Sequence, residues 1–145
     1  MKPLCSSAFI CVLMFFASAA RAGVTVTDAW VRGMVPAQQS TAAYMTITSD
    51  EGAKIVAITT PAARKAELHA TMAMNGIMHM HAMDAFELPA HKAVELKAGG
   101  MHVMLTGVTK PLQAGRKVPF VFTVVDAAGK RSTFEATADV RPIGR

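Results

Sequence analysis

Short alternations of apolar and polar residues recur along most of this chain. Val24-Thr25-Val26-Thr27 alternates strictly, and apolar residues recur two apart in Ala43-Tyr44-Met45-Thr46-Ile47 and Lys54-Ile55-Val56-Ala57-Ile58. A period of two puts successive side chains on opposite faces of an extended strand, one face inward and one outward. Val94-Glu95-Leu96 and His102-Val103-Met104-Leu105 flank a Gly99-Gly100 turn. Val118 to Val125 is the most apolar stretch, and Ser132 to Val140 follows Gly129. Turn signals fall between these runs at Asp50-Glu51-Gly52, Asn75-Gly76, Leu88-Pro89, Lys110-Pro111 and Ala128-Gly129. Asn-Gly is the strongest of them, because both residues accept the positive φ of a tight hairpin. No helical period persists for ten residues, and Pro61 to Leu68 has room for one or two helical turns at most. The pattern predicts an all-β domain of about eight or nine short strands, a Greek-key sandwich or barrel.

The first 22 residues break this pattern. Lys2 is followed by an apolar run from Ala8 to Phe16, small residues from Ala17 to Ala20, and Ala20-Arg21-Ala22 before Gly23. A positive start, a short apolar core and an A-x-A end describe a secretory signal, too short for a membrane span. Residues 1–22 are therefore expected to be a signal peptide cleaved near Ala22, and residues 23–145 the folded domain. Neither Cys5 nor Cys11 has the neighbours of a lipoprotein cleavage site.

Removing the signal changes the chemistry that remains. The chain has 145 residues with 15 Lys plus Arg and 10 Asp plus Glu, a charge of +5. Lys2 and Arg21 leave with the signal, so 13 basic residues face 10 acidic ones and the charge falls to +3. No basic run is interleaved with aromatics, so nucleic acid is not an expected partner. No later segment has the length of a membrane helix. Both cysteines leave as well, and residues 23–145 contain none.

Methionine stays abundant, and it is not spread evenly. All five histidines lie between His69 and His102, and seven of the nine methionines beyond residue 22 lie between Met72 and Met104. His and Met together fill 12 of the 36 positions from His69 to Met104. Core methionines are usually sparse gap-fillers, so a cluster shared with histidine reads as a supply of metal ligands. Thioethers are soft and suit Cu(I), while imidazoles suit copper, zinc and nickel. The mixture without thiolate points to copper, above all Cu(I). Export strengthens this reading, because paired thiols tend to oxidise outside the cytosol and thioethers form no disulfides. Their liability is sulfoxide formation.

Spacing narrows the ligands. His102 and Met104 stand two apart on an expected strand and point to one face. His69 closes the strand-like run Ala66-Glu67-Leu68-His69, and a hairpin at Asn75-Gly76 folds Met78 or Met80 back towards it. Met72, Met74, Met78 and Met83 read equally as a soft rim or as core. His79 and His81 fall on the strand face opposite Met78 and Met80, as a solvated pair or as a second site for Cu(II). His91 reads as a surface loop residue and Trp30 as core.

His69, ten residues, Met80, twenty-one residues, then His102-Val103-Met104 spells H-x10-M-x21-H-x-M. This pattern resembles the PCu(A)C family of periplasmic copper chaperones. The resemblance extends to Ala29-Trp30-Val31-Arg32, Ala42-Ala43-Tyr44-Met45, Asn75-Gly76-Ile77-Met78 and Gly99-Gly100-Met101-His102, and covers nearly all of residues 24–140. It implies a cupredoxin-like β-sandwich that binds one Cu(I) near its surface through His69, Met80, His102 and Met104. It further implies delivery to cytochrome c oxidase assembly, at the CuA centre of subunit II or through a Sco-type partner. Some members add a His/Met-rich C-terminal tail for Cu(II); the sequence here ends Val140-Arg141-Pro142-Ile143-Gly144-Arg145, so no tail site is expected.

Other functional classes fit less well. Periplasmic copper storage or detoxification needs the same ligands and is the nearest alternative. An electron-transfer cupredoxin shares the fold, but its copper needs a cysteine beside two histidines. An enzyme is not expected: the His/Met cluster has no apparent third histidine or carboxylate at catalytic-zinc spacing, and G-x-S-x-G, H-E-x-x-H and phosphate-loop motifs are missing. Monomer and metal-bridged dimer both remain open.

Overall fold

The computed structural model describes residues 23–143. The expected signal peptide and both cysteines lie outside these residues. The described residues form ten strands and no helix. They are β1 (Val24–Arg32), β2 (Ser40–Ser49), β3 (Ala53–Thr59), β4 (Ala63–Met74), β5 (Ile77–Met83), β6 (Phe86–Leu88), β7 (Ala93–Leu96), β8 (Met101–Val108), β9 (Lys117–Asp126) and β10 (Arg131–Arg141).

One sheet runs β5-β4-β8-β2-β1-β10-β9-β3-β6 and curls until β3 meets β4 at Ile58 and Ala66. That bridge closes a barrel, which removes free edges along most of the wall. The strand ladders are antiparallel except β1 with β10, which run parallel where Trp30–Arg32 faces Asp139–Arg141. β7 lies beside β2, while β5 and β6 continue past the closing bridge.

The period of two explains the core. Val118, Phe120, Phe122 and Val124 alternate inward along β9 and are essentially inaccessible. Phe122 stacks flat on Phe134 of β10 at 4.8 Å between ring centroids. Val31, Ala43, Ile47, Val103 and Leu105 meet them from the other strands. Met34 and Met45 are core methionines as well.

The expected all-β barrel is present, with three corrections. There are ten strands rather than eight or nine, because Phe86–Leu88 is a three-residue strand too short to show a period. The segment from Pro61 to Leu68 holds no helical turn: β4 begins at Ala63 and continues beyond His69 to Met74. Its alanines, lysine and glutamate favour helix locally, but ladders with β8 on one side and β5 on the other decide the matter. Trp30 is half-buried, not core. Val31 takes the inward position of that pair, so the indole faces outward, 4.5 Å from Tyr44 and 4.9 Å under the Arg141 guanidinium.

Candidate metal centre

β4 and β8 build the centre between them. Their antiparallel register sets His69 directly opposite His102, and Glu67 opposite Met104. Leu68 and Val103, the intervening pair, point into the core, so the two histidines and Met104 share the outer face. Directly opposed residues have Cβ atoms about 4.5–5.5 Å apart, close enough for two side chains to grip one ion. The imidazole centroids are 5.9 Å apart.

His102 is only 6% exposed despite facing outward. Its Nδ1 lies 3.3 Å from the Gly100 carbonyl oxygen. A carbonyl only accepts, so Nδ1 carries a proton, and in the neutral ring the Nε2 lone pair is then free. The same oxygen accepts the Thr71 N–H of β4 at 3.3 Å. Gly99 makes the turn possible, with φ at +82°, where a side chain would be strained. Tyr44 continues the row across β2, 6.4 Å from His102.

His69 differs from an ordinary strand histidine. Both ring nitrogens are buried, and neither has a hydrogen-bond partner. Glu67 Oε2 is 3.6 Å from Nε2, too far for a hydrogen bond. An unpaired buried polar group costs about 1–3 kcal/mol, and a bound ion is one way to recover it. Glu67 itself is held below its ordinary pKa by the hydrogen bond from Lys65, whose Nζ is 2.8 Å away, against the opposing effect of partial burial.

The hairpin of β4 and β5 brings the remaining thioethers. Asn75 and Gly76 both have positive φ, 52° and 76°, as a two-residue hairpin turn of this kind requires. The ladder is unbroken from Leu68 opposite Met83 to Met74 opposite Ile77. Thr71 faces Met80 and His69 faces Ala82, so Met80 sits on the histidine face, diagonal to His69. Met80 is 55% exposed. Among the described residues no group of three or more His, Cys, Asp or Glu is arranged to hold a metal.

The sequence matches, over residues 24–137, the family described as "Putative lipoprotein LpqE-like". The chain belongs to the LpqE-like family. A relative from Leifsonia xyli subsp. xyli, "Putative lipoprotein Lxx21020", is 33% identical over 107 residues, 73% of this chain. The match spans 64% of that relative's length. The solution structure of CuI-DR1885 from Deinococcus radiodurans is 34% identical, with a TM-score of 0.62, covering 86% of this chain and 83% of that one. The copper-bound PCuAC domain from PmoF2 is 19% identical, with a TM-score of 0.59 over 82% of this chain and 94% of that one. The cupredoxin-like barrel is therefore this LpqE-like chain's fold, and its resemblance to PCu(A)C domains holds at that level.

Within this LpqE-like chain, the structure brings His69, His102 and Met104 together on the barrel wall and sets Met80 diagonal to His69 on the projecting β4–β5 hairpin, the arm. His69 lies inside β4 rather than at its end. Of the four undecided methionines, Met72, Met74 and Met78 are exposed, while Met83 packs against the core. His91 is exposed in a turn, at φ 57°. Sequence reasoning missed Glu67 and Tyr44. Glu67 stands two before His69, the spacing that paired His102 with Met104, so the signal for it was present.

Proposed function

We propose that this chain is an exported copper carrier that holds one Cu(I) through His69, Met80, His102 and Met104. The observation that carries the reading is the His69–His102 pair: two facing imidazoles, one with both nitrogens unpartnered and one with Nε2 left free, beside two thioethers. Imidazole and thioether together match Cu(I) better than zinc or a hard cation. DR1885, the more similar of the two structural relatives, has been solved with Cu(I), which supports the same assignment.

The proposed mechanism is ligand exchange, without catalysis. His69, His102 and Met104 stand on a closed wall and hold their positions, whereas Met80 is exposed on the arm. An acceptor's ligand displaces Met80 first and the wall ligands afterwards. The acceptor we propose belongs to cytochrome c oxidase assembly in the periplasm, either the CuA centre or a Sco-type protein. Storage or detoxification would use the same site without such an acceptor. A thiolate-based blue-copper centre is disfavoured, since residues 23–145 contain no cysteine.

The test is competition for Cu(I) between residues 23–145 and a Cu(I) chelator. One tightly held Cu(I) per chain is expected, with no visible thiolate-to-copper band. His102→Ala and Met104→Ala are expected to release it while the barrel persists by circular dichroism. Retention equal to the unaltered chain would overturn the assignment. Transfer to a CuA-bearing fragment, but not to a control without its ligands, separates delivery from storage.

A further inference from the structure

The β4–β5 arm has a second face. Met80, Met78 and Ala82 accompany His69 on one side, so the pleat sends their neighbours to the other. That other face carries His79 and His81 on β5, with Met72 directly across from His79 and Met74 across from Ile77. Ala70 lies opposite His81. Both histidines are exposed, and Met72 is 53% exposed.

We propose that this face is a separate copper site, in which the imidazoles of His79 and His81 bind Cu(II) and the Met72 thioether approaches from across the ladder. Residues two apart on a strand are about 6.6–6.8 Å apart, on the same side. Two imidazoles leaning towards each other span that gap around one ion. The bulge-free ladder fixes the spacing before any metal arrives. Met72, as the cross-strand neighbour of His79, has its Cβ about 4.5–5.5 Å away.

The ligand balance distinguishes this face from the other. The His69 side offers two imidazoles and two thioethers, partly sheltered. The His79 side offers two imidazoles and one thioether in open solvent, where water completes the coordination. Nitrogen and water ligands favour Cu(II), which stands highest among the divalent first-row metals at such sites. Opposite faces of one ribbon share no side chains, so the two ions do not compete for ligands. The exposed methionines also gain a purpose here, since large apolar side chains in water otherwise mark an unfilled contact.

This site does not depend on the Cu(I) reading. The test loads residues 23–145, which contain every described strand, with one equivalent of Cu(I) and then titrates copper(II) sulfate, followed by electron paramagnetic resonance. One equivalent of Cu(II) with nitrogen hyperfine structure is expected. The double variant H79N/H81N is expected to lose on the order of a hundredfold in Cu(II) affinity, the gain that tethering two ligands provides. Its Cu(I) retention is expected to match the unaltered chain. Met72→Leu is expected to shift the signal with a smaller loss, and His91→Asn to change nothing. If the unaltered chain takes up no second equivalent, or H79N/H81N binds it as tightly, the site does not exist. His102→Ala, read in parallel for Cu(I), reports on the other face separately.

Discussion

Strand β4 spends its two halves in different surroundings. From Ala63 to Ala70 it is a stave of the barrel, laddered to β8, with Leu68 in the core. From Thr71 to Met74 its ladder partner is β5 alone, and the pair stands out as a two-stranded arm. The same period of two runs through both halves, yet an apolar residue means different things in each. On the stave, an apolar side chain fills the interior. On the arm, the large apolar side chains, four methionines and Ile77, are held out to water. The histidines follow this division: His69 and His102 are sheltered against the wall, His79 and His81 exposed. The wall thus supplies the fixed ligands and the arm the easily displaced one, the combination that the proposed carrier needs to hold an ion and then release it.

The strongest challenge to this contrast is removal of interior bulk. Phe122→Ala is expected to destabilise the barrel by about 3–5 kcal/mol, read from urea melts. Met78→Ala on the arm is expected to stay within about 0.5 kcal/mol. Comparable losses at both positions would mean that the arm belongs to the core.

The next effect is on metal. His102→Ala is expected to weaken Cu(I) retention by about a hundredfold, the upper end of what even supporting residues of metal sites contribute. Among the thioethers, Met104→Leu is expected to cost on the order of tenfold and Met80→Leu less, because Met104 stands on the wall. The reverse order in a chelator competition would place the firm ligand on the arm.

Gly76→Ala probes the arm without touching a ligand. At φ 76° a side chain costs about 1–2 kcal/mol. Hydrogen exchange is expected to speed up at the arm amides and stay unchanged along β9.

The smallest effect belongs to the Lys117–Asp139 pair, at 2.7 Å on the far strands. The hydrogen bond from Lys117 holds Asp139 below its ordinary pKa of 3.8. A carboxyl with a depressed folded pKa adds stability above its unfolded pKa and loses it as pH falls through the folded value. Asp139→Asn is therefore expected to reduce stability slightly at neutral pH. The difference should vanish in acid, and copper retention should not change.

Much of this was legible in the residues. Val118 to Val125 announces β9, and Asn75-Gly76 announces the arm, because each is governed by local rules of alternation and turn geometry. The candidate ligands were legible because two-residue spacing on a strand fixes a shared face. What escaped depended on neighbours distant in sequence. The start of β4, from Ala63 to Ala66, is strand because β8 pairs with it, against its own composition. Trp30 faces outward because Val31 takes the interior position, and an indole alone gives no sign of which face it occupies. The proton on His102 Nδ1 is set by the Gly100 carbonyl, a backbone atom invisible to any residue pattern.

That carbonyl oxygen is shared by two parts of the molecule. It accepts the Thr71 N–H, where the arm leaves the barrel, and the Nδ1–H that orients the His102 ring. The root of the arm and the ring of the candidate ligand therefore meet at the same backbone atom. A change at Gly100 would touch the hinge of the arm and the proton on the His102 ring together.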